Sequence, residues 1–598
     1  MKYIILILLI STLFQSVLLA EPDAIQPENP IQIVHPAENT QLPALTSSFV
    51  FGSAPPDGIL SINGKPVPIH PGGGFLAMVN LSPGEFQIKA ELRLGAKTYH
   101  LIRTIQVAHP ELPTPELPLT IEYITPNEDL ELLPGDYLTV ACKGSPGKTG
   151  FFSIKGLKGK FPMIESKTAP GGIYHGVYRI GKEAPLNKCK IEVTLQDKWH
   201  KESKKSNGTV SLFPMDIPVM AEVITPNTVL KAGSALNQYE RAGYLMFPPV
   251  GTVLQITGSK GDEYRIRLTE TKKVWVNKTQ VKLLPKGTLP NRTVAGNISL
   301  DMAGNSTFLR VSLGRKVPFR IDPNTEGKYI DISFYGAYSN TDWITNAVTG
   351  VVKQLQWFQD DQETYRLRIH TIPNSWWGYD ARYEENQFVL ELRTPPAVRV
   401  NDSPLKGLTI AVDPGHSADT GAIGPTGYLE KDANLAQALV LKEKLLAKGA
   451  KVIMTRVGDE DVPLGKRPQI AQEAKADLLI SIHNNALPYG GNPFKKHGFG
   501  VYYFTPMSLP LAKEIHQAYI DTFSGNREYN LPDDGLFYAN LALTRSPQIP
   551  SVLIESAYMI VPEEEAYLKT EAFRRACANA IVNGIERYAR TMRPKTPR

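Results

Sequence analysis

The sequence predicts a multi-domain protein in which several all-β modules precede a C-terminal α/β domain with a mostly parallel sheet. Three observations predict it. The 598 residues are too many for one hydrophobic core. Up to about residue 400, short apolar alternations recur between glycine, proline and asparagine turn signals. Beyond Leu405, apolar runs alternate with longer stretches of helical period, the pattern of strand followed by helix.

Composition sets the bounds. Hydrophobic residues make up 42% and charged residues 21%, values of a folded chain rather than a disordered one. A formal charge of +6 over this length is mild and gives no indication of nucleic acid as a partner. Met1-Lys2, the apolar runs Tyr3 to Ile10 and Leu13 to Leu19, and Ala20 before Glu21-Pro22 read as a secretory signal peptide over 1–20. An uncleaved anchor is the alternative, but Ser11, Thr12, Gln15 and Ser16 interrupt the apolar run. Cys142 and Cys189 fall in one module and are open to pairing after export. Cys577 shares a helix face with Phe573, Ala580, Ile581, Ile585 and Tyr588, which makes it a buried thiol without chemistry.

Residues 21–108 carry Ser47 to Gly52, Phe75 to Val79 and the hairpin signal Asn63-Gly64, an immunoglobulin-like sandwich pattern. A proline-rich linker covers 109–119. Residues 120–215 form a second sandwich, with Tyr137 to Ala141, Gly176 to Ile180 and Cys189 to Leu195 as strands. The basic stretch Lys198 to Lys205 between strand patterns reads as a solvated hairpin tip. Residues 216–286, with Gly251 to Ile256, Tyr264 to Leu268 and Val274 to Val276, form a small barrel that resembles the bacterial SH3-like domains appended to wall enzymes. Residues 287–400 are β again, through Tyr329 to Phe334, Val352 to Trp357, Tyr365 to Ile369 and Phe388 to Leu392. This segment is similar to the AMIN domains that precede some wall amidases and bind peptidoglycan. Trp376-Trp377 is either core or a sugar-stacking pair. In 401–592, helices are expected over Lys431 to Lys448, Leu509 to Phe523 and Thr570 to Tyr588.

Three apolar strand runs of this last segment end in metal-binding residue types. Leu408 to Val412 leads into Asp413-Pro-Gly-His416, Leu478 to Ile482 into His483-Asn484-Asn485, and Ser551 to Ile554 into Glu555. Sites in open parallel sheets lie beyond the carboxyl ends of the strands, so residues distant in sequence converge there. Glu430 starts a helix and projects from the same edge. Two imidazoles and a carboxylate suit catalytic zinc with an open position, and a second carboxylate serves as general base and acid. His497, after a Lys-Lys loop, and His516, in mid-helix, read as structural. No Gly-X-Ser-X-Gly nucleophile motif competes.

The pieces Ile410 to His416, Gly427 to Asp432, Thr455-Arg456 with Leu464 and Arg467, Ala476 to Asn485 and Pro550 to Glu555 resemble, in that order, the zinc-dependent N-acetylmuramoyl-L-alanine amidases. The resemblance covers the final domain. It implies one Zn2+ held by His416, Glu430 and His483, with Glu555 as the catalytic carboxylate. It also implies peptidoglycan as the substrate, cut between the lactyl group of N-acetylmuramic acid and L-alanine. The sequence departs from the family at Ser556-Ala557-Tyr558, where Gly-Phe is usual, and at Asn484-Asn485, where Ala-Asn is usual. No room is evident between His483 and Glu555 for an autoinhibitory helix, so none is expected. Arg456 and Arg467 are expected to anchor loops, and Asp413 and Asn485 to orient the site. The expected address is exported: periplasmic in a cell with two membranes, secreted or wall-associated with one. The reading leaves room for a divisome or activator protein as partner. Two rivals remain: a non-catalytic wall-binding scaffold, and another zinc peptidase acting on stem peptides.

Overall fold

Period-two burial builds the chain before residue 400. A computed structural model describes residues 29–110, 114–167, 171–182, 184–214, 216–234, 243–529 and 531–596. The signal-peptide reading of 1–20 lies outside these residues. Among the described residues, no helix is long and apolar enough to cross a membrane.

The first module packs a three-stranded sheet (Gln32–His35, Ser47–Ser53, Gly74–Asn80) against a five-stranded one around Val50, Phe75, Ile88, Leu92 and Ile105. The following strands enclose Leu138, Val140, Phe152, Ile191 and Val193. They continue into the next module through Leu130–Leu132, which pairs parallel with Lys201–Leu212 and antiparallel with Val253–Lys260. Two further sheets close on Leu309, Ile330, Phe334, Leu367 and Phe388.

Two questions left open by the sequence are answered here. Cys142 and Cys189 are both free buried thiols. Cys142 sits within the strand Tyr137–Gly144, whereas the Cys189 Sγ lies 3.8 Å from the Pro185 carbonyl and 3.6 Å from that of Asn187. Trp376 and Trp377 are both core residues, 4% and 2% exposed, so neither is free to stack on sugar. Trp377 lies on Tyr588 of the final domain with ring centroids 5.0 Å apart, which joins that domain to the module before it. The half-buried Arg393 strengthens the junction by donating to the carbonyl oxygens of Lys475, Ala476 and Gln548.

The final domain runs Thr409–Pro414 (β1), Glu430–Ala447 (α1), Lys451–Met454 (β2), Lys466–Glu473 (α2), Leu478–Asn485 (β3), Phe499–Tyr503 (β4), Leu509–Phe523 (α3), Asp533–Tyr538 (β5), Ser551–Tyr558 (β6), Pro562–Lys569 (α4) and Glu571–Met592 (α5). Its sheet has the order β2-β1-β3-β6-β4-β5, parallel except where β4 meets β6. Ile410, Val412, Ile480, Ile482, Val552 and Ile554 face α1, α3 and α5, while Ala411 and Leu479 face α2. Burial on both faces explains why the central strands are apolar at most positions rather than alternating. Cys577 is fully buried on the inner face of α5.

The first module returns to this domain. The outer face of its three-stranded sheet, carrying Phe49, Phe51 and Leu76, packs on Tyr558 and Ile560, with Ala486 and Leu487 alongside. His35 lies at the seam, its ring 5.0 Å from those of Phe49, Phe51 and Tyr489. Its buried Nε2 has no hydrogen-bond partner among the described residues. Burial pushes His35 down to about 4 from the ordinary 6.5. The folded state therefore disfavours the imidazolium. Its contribution is whole above pH 6.5, is lost progressively as pH falls from 6.5 to about 4, and changes no further below that. His35→Phe is expected to melt with the wild type at pH 7.5 and to gain on it steadily between pH 6.5 and 4. Scanning calorimetry of both proteins over that range checks this, and a constant difference would refute it.

Candidate metal centre

The carboxyl ends of β1 and β3 and the first turn of α1 meet at one edge of the sheet. His416 follows β1, Glu430 opens α1, and His483 lies in β3. One ligand atom from each of the three falls within 4.8 Å of the others. Glu430 Oε1 is 3.1 Å from His416 Nε2 and 3.0 Å from His483 Nδ1. The two imidazoles stand edge to face, with centroids 4.9 Å apart.

Glycine makes this proximity feasible at two positions. A Cβ on Gly415 would come within 2.2 Å of the His483 ring, and one on Gly421 within 2.5 Å of Glu430 Oε2. Gly421 also has φ +65°, which a side chain would strain. His416 itself adopts φ +61°. Arg467 holds it there by donating to the His416 carbonyl at 2.8 Å.

The surroundings fix the donors. Asp419 pairs with His416 Nδ1, leaving Nε2 directed at Glu430. The backbone N–H of Ala422 donates to Glu430 Oε2 at 2.8 Å, and Asn434 Nδ2 and the Asn484 N–H donate to Oε1. Burial opposes the charge on Glu430, but its bonds to His416 and His483 prevail and hold it well below the usual carboxylate range. Burial likewise acts against charge on His416, and Glu430 and then Asp419 outweigh it and raise its pKa.

Glu555 sits in β6, registered beside His483 of β3. Its Oε2 is sealed from solvent and has no hydrogen-bond partner among the described residues. Burial, reinforced by the carboxylates of Glu430 and Asp534, pushes it well above the usual range. Two imidazoles and a carboxylate gathered within 4.8 Å of one another suit a divalent cation of zinc type, and beside them the orphaned Glu555 oxygen has no positive partner among the described residues.

Below the site, Arg456 donates to the carbonyls of Pro414, Gly415, Lys431 and Gly458. Asp413, fully buried, accepts from Arg467, Ser481 and Thr455. Asn485 Nδ2 donates to the Tyr502 hydroxyl at 3.4 Å, and its neighbour Asn484 meets the site through its N–H to Glu430 and its Nδ2 to Asn434. The unusual Ser556 turns inward, where its Oγ accepts from Gln437 at 2.6 Å and meets Tyr519 at 2.9 Å. His516 pairs with Asp533 away from the centre. His497 meets the buried Glu564 at 2.5 Å and ties the loop after β3 to α4. Asp419, three residues after His416, carried a readable His-X-X-Asp spacing; Asn434 and Glu564 gave no such signal.

Comparison with known proteins follows the same boundaries. Residues 410–587 match the family described as N-acetylmuramoyl-L-alanine amidase. The probable cell wall amidase LytH of Staphylococcus epidermidis is 34% identical over 200 residues, 33% of this chain and 64% of that protein. The N-acetylmuramoyl-L-alanine amidase AmiC of Neisseria meningitidis serogroup B is 32% identical over 223 residues, 30% of this chain and 53% of its own. This chain thus spans less than two thirds of the length of these curated relatives. Among solved structures, the catalytic domain of CwlV, N-acetylmuramoyl-L-alanine amidase from Bacillus (Paenibacillus) polymyxa var. colistinus, is 32% identical over 30% of this chain and 97% of its own, with a TM-score of 0.28.

Proposed function

We propose, from a C-terminal segment that belongs to the N-acetylmuramoyl-L-alanine amidase family, that this protein is a zinc-dependent amidase of peptidoglycan. Its bond is the amide between the lactyl group of N-acetylmuramic acid and the first L-alanine of the stem peptide. The observation that carries the reading is the convergence of His416, Glu430 and His483 with a partnerless buried Glu555 oxygen beside them.

In this reading His416, Glu430 and His483 would hold one zinc ion, and Asp419, paired with His416 Nδ1, would keep that imidazole in the right tautomer. Zinc supplies Lewis-acid polarisation of the scissile carbonyl and acidifies the attacking water. Glu555 takes the proton from that water and returns it to the departing amine of L-alanine. Glu555 is suited to this exchange because burial, Glu430 and Asp534 raise its affinity for a proton. The enzyme acts outside the cytoplasm, in the periplasm where two membranes exist, and its β modules bind the wall or space the active domain from it.

The test is to incubate the full mature chain with purified peptidoglycan and identify released fragments by mass. Free stem peptides beginning at L-alanine are expected. Fragments cut within the peptide would overturn the substrate assignment. Removing the metal with a chelator is expected to stop release, and equimolar zinc to restore it. His483→Ala is expected to lower bound zinc by at least about tenfold at fixed free metal, read by elemental analysis. Unchanged zinc content in that variant would remove His483 from the ligand set.

A further inference from the structure

The first β module is not simply tethered at the far end of the chain; it touches loops next to all three strands that frame the metal centre. A Cβ placed on Gly74 would lie 3.1 Å from Pro425, in the segment between His416 and Glu430. Ser48 Oγ accepts from the Gly490 N–H at 3.3 Å, and Leu45 closes on Gly490, in the loop after β3. Phe49, Phe51 and Leu76 pack on Tyr558 and Ile560, just after Glu555.

Helix α4 holds the same loops from the inside. Glu565, 1% exposed, accepts from the Thr426 N–H at 3.0 Å and from its hydroxyl at 2.8 Å. Glu564, also 1% exposed, accepts from the Gly498 and Tyr558 N–H groups and meets His497. The Gly72 to Gly74 turn of the first module rests on the outer side of α4, at Pro562 and Ala566. The two loops are therefore held between a helix of the catalytic domain and a separate β module.

The docked module does not plug the centre. The His416 side chain keeps 26% of its exposure and Asp419 71%. The backbone around two of the metal-binding residues is fixed from within the final domain, by Arg467 at the His416 carbonyl and by Arg456 at those of Gly415 and Lys431, beside His416 and Glu430.

We propose that the first β module is a wall of the substrate groove: it braces the loops 421–429 and 486–498 and so sets which large substrates reach the metal centre. Its geometry stands on the interface alone; its substrate, the glycan polymer, rests on the amidase reading. A polymer must lie along the loops beyond the centre, whereas a small soluble muropeptide needs only the centre itself.

The test uses the full chain with Phe49→Asp/Phe51→Asp, two residues that face the interface and not the module's own core. Leu76→Asp, on the neighbouring strand, is the second variant in case the first does not fold. Amide exchange in 421–429 and 486–498 is expected to quicken at least about tenfold, with α5 still protected. KM for intact peptidoglycan is expected to rise by about fivefold or more, with kcat/KM for a soluble muropeptide within about twofold of wild type. Unchanged exchange in both loops would overturn the proposal. So would equal losses on the two substrates, which would make the module a general support, and so would faster cleavage of the polymer, which would make it a lid. A wild type inert on both substrates, with the exchange result obtained, would instead overturn the amidase reading and leave the brace standing.

Discussion

Glu555→Gln is expected to lower kcat for amide cleavage by about a thousandfold, within the range general acid–base catalysis contributes. Glutamine keeps the size and packing of the side chain but can neither accept a proton from water nor deliver one to the leaving amine. The three residues that surround the ion are untouched, so zinc content is expected to stay at one per chain. KM is expected to change little, because the interaction removed is made in the transition state and not in the ground state. The fold has no reason to suffer: among the described residues Glu555 Oε2 makes no hydrogen bond that the amide would forfeit. Burial, with Glu430 and Asp534 adding to it, even makes the carboxylate costly to hold, so the variant is expected to melt no lower than wild type. Steady-state rates beside elemental analysis separate this outcome from simple metal loss. A rate within tenfold of wild type, with zinc bound, would assign the proton transfers to another group.

Most of the centre could be read from the chain because parallel-sheet chemistry is written at strand ends. Leu408 to Val412 and Leu478 to Ile482 are apolar runs broken only by Thr409 and Ser481, and they stop at His or at the turn before it. The helix expected to start at Glu430 does so, and Leu509–Phe523 is found with the expected bounds. Their signal is local, a period and a punctuation mark. What escaped reading is what depends on contacts between distant segments. Phe49, Val50 and Phe51 are all buried, as are Phe75, Leu76 and Ala77. Such runs contradict a sandwich sheet with one face in water, and they announce that the second face of this sheet is covered. Read as alternation, they hid the docking of the first module. Whether Cys142 and Cys189 pair was open for a related reason: sequence places them in one module but gives neither their separation nor their side-chain directions. Glu564 and Glu565 likewise look like solvated charges in the acidic first turn of α4, and only the fold turns them inward.

The largest loss of stability is expected at Arg467, which carries no chemistry. Its guanidinium donates to Asp413 Oδ1 at 2.9 Å, to the Pro414 and His416 carbonyls at 2.8 Å each, to Ser417 Oγ at 3.0 Å and to the Val462 carbonyl at 3.1 Å. Its side chain is 3% exposed and that of Asp413 0%. Arg467→Ala leaves Asp413 charged, buried and short of its cation, a change that typically costs about 3–5 kcal/mol. For a domain of this size that corresponds to a melting point lower by about 10 °C. Lysine is expected to rescue little, because a single ammonium cannot reach acceptors spread around a planar fork. Adding Asp413→Asn to Arg467→Ala is expected to recover part of the loss, since it removes the stranded charge while Ser481 and Thr455 keep their partner. The effect reaches the metal through the backbone. His416 holds φ +61° against the steric preference of a side-chain-bearing residue, and the Arg467 bond to its carbonyl helps fix it there. Zinc affinity is therefore expected to fall with stability in Arg467→Ala, and calorimetry with metal titration of the same sample tests both. A variant that melts with the wild type would mean that the Arg467–Asp413 pair adds nothing net to stability, and the support beneath the centre would then rest on Arg456 and the hydroxyls of Ser481 and Thr455.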